Sequence, residues 1–459
     1  MNRFILSICL ALGAPALLFA QANQADSVFL HSIYTQELLH GHCYPLLHDL
    51  TSQYPHRLSG SQGANDAAQF MLQQMKQAGF DSVWLQECMV PHWERGNVED
   101  AGIVTAPGSA PDKMKICALG GSVATPTGGI TASIVEADGL DAVKQMGAAQ
   151  IKGKIVFYNE PFDVTLFNTF EQYGKAVGQR FSGAMLAARY GAVAVVVRSM
   201  TNLHDNSPHT GAMGYNDSIP KIPACAICTN DADRLSARLK TNPGLQFFLA
   251  LNCQTLPDVK SYNVIGEIKG SVDRQVLVVG GHLDCWDKGV GAQDDGAGVV
   301  QSVEVLSLMK ALGYHPRHTI RVVCFMNEEN GGRGGKAYAD WVKATGEPHL
   351  LALESDRGGL SPRGFEFSTD AATMTTIKSW RTLFTPYDCD HWEYSGDGGS
   401  DVGHLKQECK MLSGLLPDSQ RYFDYHHSEN DVFANVDARE LELGAASIAA
   451  LVYLLDRYL

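Results

Sequence analysis

Positive charge is in short supply in this chain. Lys and Arg number 36 against 50 Asp and Glu in 459 residues, for a formal charge of -14 and a pI of about 5.5. No basic stripe breaks that deficit, so a phosphate backbone would be repelled and nucleic acid is excluded as a partner. Charged residues are only 19% of the chain and hydrophobic ones 45%, which rules out disordered, collagen-like and coiled-coil chains and leaves a globular protein with a large core. Internal repeats and low-complexity tracts are missing. Past residue 22 no apolar run approaches the roughly 20 residues that span a bilayer, so stable membrane insertion is not expected. Only one CxxC occurs, Cys225–Cys228, too few ligands for a zinc knuckle. A phosphate-binding GxxxxGK[ST] loop is absent too; Gly331–Gly335 follows a di-acid and is expected to be a tight turn into a helix. No nucleophile elbow surrounds Ser400 and His404, which excludes a serine triad there.

What is present begins with a leader. Met1-Asn2-Arg3 is a short basic start, Phe4 to Phe19 is almost wholly apolar, and Ala20-Gln21-Ala22 supplies a small-x-small cleavage pattern. Residues 1–22 are therefore expected to be a signal peptide, with an exported protein, periplasmic or extracellular, beginning near Asn23. Ten of the eleven cysteines would remain in a compartment that permits disulfides. Cys117, Cys253, Cys285 and Cys324 nevertheless lie singly in apolar, strand-like runs, where buried free thiols are expected. A Cys389–Cys409 pair is left open.

The length suits two or three domains. Residues 26 to 50 carry helical patterning, Ala64 to Gly79 is an amphipathic helix and Asp81 to Val90 alternates like a strand. Between about Lys115 and Leu256 the character changes to short strand-like runs around an Ala-rich helix, Gly183 to Tyr190, and a long polar loop, Thr201 to Ser218. After Ser261 strand, helix and strand repeat: Gln275–Gly280, Ala297–Gly313, Thr319–Met326, Gly335–Ala344, Leu350–Leu353, and finally a helix over Ala438–Leu459. This predicts an α/β fold, a mostly parallel sheet covered by helices on both faces. Residues 23–114 and 257–459 would form that domain, interrupted by an inserted, β-rich domain over 115–256.

The chemistry gathers where strands end, the place ligands bind in open α/β sheets. One strand runs into Gly281-His282-Leu283-Asp284, followed by Gln293-Asp294-Asp295-Gly296 opening a helix. The next ends in Glu328-Glu329, the third in Glu354-Ser355-Asp356, and Tyr425-His426-His427-Ser428-Glu429-Asn430-Asp431 follows downstream. Taken singly, each has a plain structural explanation: a strand-end histidine, a helix cap, a solvated di-acid, a turn. Together, Asp294, Glu328, Glu329 and Asp356 would repel one another without cations to neutralise them. Zinc takes imidazole nitrogen and carboxylate oxygen, and two zincs about 3.5–4 Å apart share a bridging carboxylate. One imidazole per metal asks for two histidines, and His282 and His427 supply them.

The segments GGHLDCWDKGVGAQDDGAG, FMNEENGGRGG, LESDRGG and YHHSEND resemble, in order, the metal-site motifs of the zinc aminopeptidase family, most closely its carboxypeptidase Q branch. PHRLSGSQGANDAAQFM and VPHWERG resemble the front of that branch, and GKIVFYN, GAVAVVVRS, PHTG and IPACAI its inserted protease-associated domain, so the likeness covers most of residues 30–459. The resemblance implies two zinc ions bridged by Asp294, which lies 12 residues after His282. His282 and Asp356 would complete one site, Glu329 and His427 the other. It implies Glu328 as general base, Asp284 as the group orienting His282, and a cis peptide between Asp294 and Asp295. Many family members carry Tyr just before the last histidine; here that position is His426, as in the carboxypeptidase Q branch. The oxyanion donor is left among His426, Tyr425 and zinc.

The function expected is hydrolysis of dipeptides or short peptides with a free amino terminus by an exported dizinc exopeptidase; composition and spacing leave open which chain end is read. The resemblance further implies a homodimer. A glutaminyl cyclase-like enzyme with a single zinc on the same fold is an alternative, set back by the full ligand set. A non-catalytic peptide-binding module is another, set back by the presence of Glu328.

Overall fold

The computed structural model describes residues 14–106, 108–394 and 396–459, with side chains from residue 24 onward. The expected leader over 1–22 lies outside the residues described in full. Among the described residues no helix is long and apolar enough to cross a membrane.

The main sheet has eight strands: β1 (Ser82–Glu94), β2 (Gln254–Ile268), β3 (Val276–His282), β4 (Thr319–Phe325), β5 (His349–Glu354), β6 (Pro362–Ser368), β7 (His391–Glu393) and β8 (Leu412–Pro417). Their spatial order is β1-β2-β4-β3-β5-β8-β6-β7. Strands β4, β3, β5 and β8 run parallel, while β1, β2 and β6 join with antiparallel pairings. The parallel centre is the expected one. Its strands read VLVVGGH, TIRVVCF and HLLALE, near-continuous apolar runs, because both faces are covered. On one face lie α1 (Ala14–His40), α2 (Gln62–Gln77), α3 (Ala297–Ala311) and α5 (Ala438–Tyr458); α4 (Arg333–Thr345) covers the other. Leu30, Met71, Val303 and Leu451 meet in the larger core, and each such buried side chain stabilises by about 1.5–3 kcal/mol. Ser61 caps α2 at the Ala64 amide and Asp437 caps α5 at Glu440, which fixes where both helices begin.

A second sheet of eight strands is built wholly from the chain between β1 and β2. Ile130–Ala137, Ile155–Tyr158, Ala194–Arg198 and Ala224–Ile227 form a parallel run, extended by the antiparallel strands Ile116–Ala118 on one side and Gln246–Leu251 and Glu99–Val104 on the other. The chain changes sheet earlier than residue 115. Glu99–Val104 finds its partner in Gln246–Leu251, far downstream, and no local pattern encodes that pairing. Helices Gly139–Ile151, Thr169–Phe181 and Thr229–Thr241, which periodicity left unassigned, cover this sheet.

All ten described cysteines are unpaired, Cys389 and Cys409 among them, and nine are buried. Burial pushes the Cys117 and Cys389 thiols up to about 12, so they pack as small apolar groups.

Candidate metal centre

Register places the site. Gly280 of β3 pairs with Val323 of β4 and with Glu354 of β5, so the three strands end side by side at His282, Phe325 and Glu354. The loop and helix after β3 must then come close to the sheet, and two glycines allow it. A Cβ on Gly298 would collide with the Ser355 carbonyl, and one on Gly281 with the Asp295 carboxylate. That carboxylate ties strand to helix, accepting from the His282 amide at 2.9 Å and the Gly298 amide at 3.0 Å. The Asp294–Asp295 peptide is cis. Asp431 holds the same loop from the other side, accepting from the amides of Ala292, Gln293 and Asp294 at 3.0, 2.6 and 3.2 Å.

Six of the seven predicted site residues converge on one another. His282 Nε2 lies 3.3 Å from Asp294 Oδ1, 3.3 Å from Asp356 Oδ1 and 4.0 Å from Glu328 Oε2. The other oxygen of Asp294, Oδ2, lies 3.3 Å from His427 Nε2, which is 3.0 Å from Glu329 Oε2. Asp284, the seventh, is arranged differently from expectation. The ring Nδ1–H of His282 donates to the Asp284 backbone carbonyl at 2.9 Å, while the carboxylate stands 4.0 Å off and accepts from the Asn327 and Glu328 amides at 2.6 and 3.1 Å. Asp284 thus fixes the imidazole through its main chain and positions the di-acid through its side chain.

His427 is held from the second sheet. Its Nδ1 lies 3.4 Å from the Thr210 carbonyl and 3.3 Å from Arg180 Nη1, and Arg180 Nη2 donates to the Tyr173 hydroxyl at 2.7 Å. With Nδ1 facing Thr210 and Arg180, Nε2 is turned toward Asp294 and Glu329. His426 stacks on His427 with ring centroids 3.5 Å apart and stands 3.8 Å from Asp294 Oδ2. Trp286 is buried against His427 and Trp93 as a wall of the cleft.

The electrostatics suit bound cations. Burial alone would lower the pKa of His282, yet Asp356, Asp294 and Glu328 outweigh it and raise it well above the ordinary imidazole range. Burial keeps His427 well below that range, with His426 and Arg180 adding to the effect. Burial also pushes Glu328 up to about 7 and Glu329 well above the usual carboxylate range. Asp294 Oδ2 and Glu329 Oε1 are buried with no hydrogen-bond partner among the described residues. Such oxygens are costly unless a cation takes them.

The donor set fits zinc. Bonds of about 2.0 Å in a tetrahedron put neighbouring ligand atoms about 3.3 Å apart, close to the 3.0 to 3.3 Å found around both imidazoles. Overlapping triads of candidate ligands are His282–Asp294–Glu329, Asp294–His426–His427 and His282–Asp295–Asp356. Asp295 has both oxygens engaged by backbone amides, which marks it as structural. Cys225 and Cys228 fall in no such group.

A cavity of about 370 Å³ opens over these residues, lined also by Tyr422, Arg357, Gly399 and Ser400. Gly398–Ser400 therefore shapes the pocket; Glu354 accepts from the Asp401 and Val402 amides at 2.9 and 2.8 Å and holds that loop. Gly331–Gly335 makes the turn into α4, as expected. Tyr425 does not line the cavity; Tyr422, one helical turn earlier, does. Sequence reasoning missed Tyr422 and Asp431 although both sit in or beside the YHHSEND segment. Arg180, Tyr173 and Thr210 lie far away in the chain and carried no local signal.

The comparisons with known proteins agree with this geometry. Residues 263–452 match the family model described as peptidase family M28. Carboxypeptidase Q of Mus musculus is 36% identical over 398 residues, covering 86% of this chain and 82% of its own; that of Homo sapiens is 36% identical, covering 86% and 81%. A peptidase M28 precursor from Shewanella amazonensis superposes with a TM-score of 0.89 at 32% identity, over 95% of this chain and 97% of its own. A zinc aminopeptidase from Bacillus subtilis shares the fold, with a TM-score of 0.65 at 21% identity over 90% and 94%. The chain therefore belongs to peptidase family M28 and is a zinc-dependent metallopeptidase.

Proposed function

We propose that this protein is an exported dizinc exopeptidase that hydrolyses dipeptides or short peptides with a free amino terminus. The observation that carries it is the divided carboxylate of Asp294, with Oδ1 3.3 Å from His282 and Oδ2 3.3 Å from His427. A carboxylate whose oxygens face separate imidazoles is suited to bridging two metals. In this reading His282 and Asp356 hold one zinc and Glu329 and His427 the other. When bound, the ions polarise the peptide carbonyl and make water acidic enough to attack.

The protein's own groups do the rest. Glu328 reaches the same space as His282, at 4.0 Å, and burial pushes its carboxyl up to about 7. It accepts a proton from the attacking water as the C–O bond forms, and passes it to the amine as the C–N bond breaks. The amides of Asn327 and Glu328 on Asp284 hold the base in place. His426 and Tyr422, both lining the cavity, are the side chains assigned in this reading to steady the developing oxyanion.

Export rests on the basic-apolar-small pattern of residues 1–22. The segment between β1 and β2 is read as an inserted protease-associated unit, supported by its separate sheet. A homodimer is part of the reading, on the family resemblance, and light scattering at monomer mass would refute it. One dipeptide, offered free and N-acetylated, with and without a chelator, tests the activity by mass spectrometry of products. Chelator-sensitive cleavage of the free form alone is expected. Cleavage of both forms would move recognition to the carboxyl end; cleavage of neither would sink the reading.

A further inference from the structure

Beyond the metal cavity lies a second hollow of about 590 Å³, lined by Phe167, Arg363, His391, Glu393, Leu416 and Pro417 among others. Among the described residues only two line both spaces, Phe170 and Arg357. They are in contact: the Arg357 guanidinium sits over the Phe170 ring, 5.1 Å from its centroid. Each half of this partition is fixed. Arg357 follows the proposed ligand Asp356 directly, and its Nη2 donates to Glu366 Oε2 at 3.1 Å. Glu366 is buried and its other oxygen accepts from the Gly398 amide at 3.2 Å, which joins the partition to the cavity loop.

Phe170 comes from the second-sheet segment, on helix Thr169–Phe181. Asn168 caps that helix at the Phe170 amide, 2.9 Å, and the Thr169 hydroxyl reaches Ser419 Oγ at 2.8 Å, so the helix start is tethered to the main body. Stacking on Tyr422 at 5.4 Å and an edge contact with Phe423 at 5.0 Å hold the ring. A side chain held on every side is a wall, and a floppy one would not be.

We propose that the Arg357–Phe170 partition is the end wall of the substrate site and sets peptide length, keeping tetrapeptides out of the hollow beyond. This rests on the exopeptidase reading above and deepens it. A dipeptide ends inside the metal cavity. In this reading a longer chain extended toward the outer hollow, with Phe167 88% exposed on its rim, would meet the two side chains.

The test measures kcat/KM for a dipeptide and for the tetrapeptide that extends it at the carboxyl end, in wild type, Phe170→Ala, Arg357→Ala and, as control, Phe167→Ala. Zinc content and the melting temperature of each variant are followed alongside. Wild type should favour the dipeptide, and the tetrapeptide-to-dipeptide ratio should rise roughly tenfold or more when either half of the wall is removed, the scale of one lost steric contact in a binding pocket. Phe167→Ala lines only the outer hollow and should leave the ratio where it was. Equal rates on both peptides in wild type, an unmoved ratio in both wall variants that retain zinc and fold, or an equal rise in Phe167→Ala would each overturn the wall. Wild type inactive on every peptide would instead overturn the exopeptidase reading itself.

Discussion

Arg95 holds Asp287 by a bidentate ion pair, Nε to Oδ2 at 2.8 Å and Nη2 to Oδ1 at 2.5 Å. Arg95 follows β1, where the chain leaves the main sheet, and Asp287 lies five residues beyond His282 in the loop that leads to Asp294. Arg95 also donates to the Ala118 carbonyl in the second sheet and pairs with Glu99 at 3.2 Å. One guanidinium thus joins the two sheets beside the metal loop.

Asp287→Asn should therefore destabilise by about 3 kcal/mol in denaturant unfolding, because it leaves a buried guanidinium short of its principal partner. The pair also has a pH signature. Burial alone would raise the Asp287 pKa, but Arg95 outweighs burial and holds it below 3.8. A carboxylate depressed in the folded state contributes stability that is present above its unfolded pKa and is lost as pH falls through the folded value. Wild type should lose this contribution below about pH 4, and the variant should show a flatter acid limb. Equal slopes for both proteins would remove Asp287 from the account.

Glu328→Gln should lower kcat by about a thousandfold while zinc content, read by mass spectrometry of metals, is unchanged, since the amide keeps the shape and loses the proton acceptor. Retained turnover would break the assignment of the base.

His282→Ala should cut both zinc content and rate, and His427→Ala should do the same for the second ion. Each removes one imidazole from one oxygen of Asp294. Wild type titrated after chelation should take up two equivalents of zinc; saturation at one equivalent would favour the cyclase-like alternative.

Asp431→Asn should weaken zinc affinity by about 10–100-fold without removing a proposed ligand, the usual scale for outer partners of a metal site. Its carboxylate receives three amides of the Asp294 loop, and an asparagine can accept fewer of them. A competition titration with a chelating dye checks it; an unaltered affinity would show that the loop holds itself.

Gly298→Ala should unfold or severely destabilise the protein, since its Cβ meets the rigid Ser355 carbonyl rather than a side chain that could move. A soluble variant with wild-type melting would contradict the packing described at the β3–α3 junction.

Much of this protein is determined by the sequence alone. Apolar runs at VLVVGGH, TIRVVCF and HLLALE mark strands covered on both faces, and acids or imidazoles at their ends mark a site, because residue type and spacing encode local structure directly. His282, Glu328, Glu329 and Asp356 were legible for that reason, and Asp294 and His427 through motifs that resemble those of the family. Tertiary structure decided the rest. It set Asp294 between two imidazoles, sent the Asp284 carboxylate to backbone amides instead of to His282, brought Tyr422 rather than Tyr425 to the cavity, and carried Arg180 and Thr210 to His427 and Phe170 to the cavity from the second-sheet segment. Those contacts join residues far apart in the chain, some by more than 200 positions, such as Thr210 and His427. No periodicity or motif can record them, because they exist only once both sheets have closed around the site.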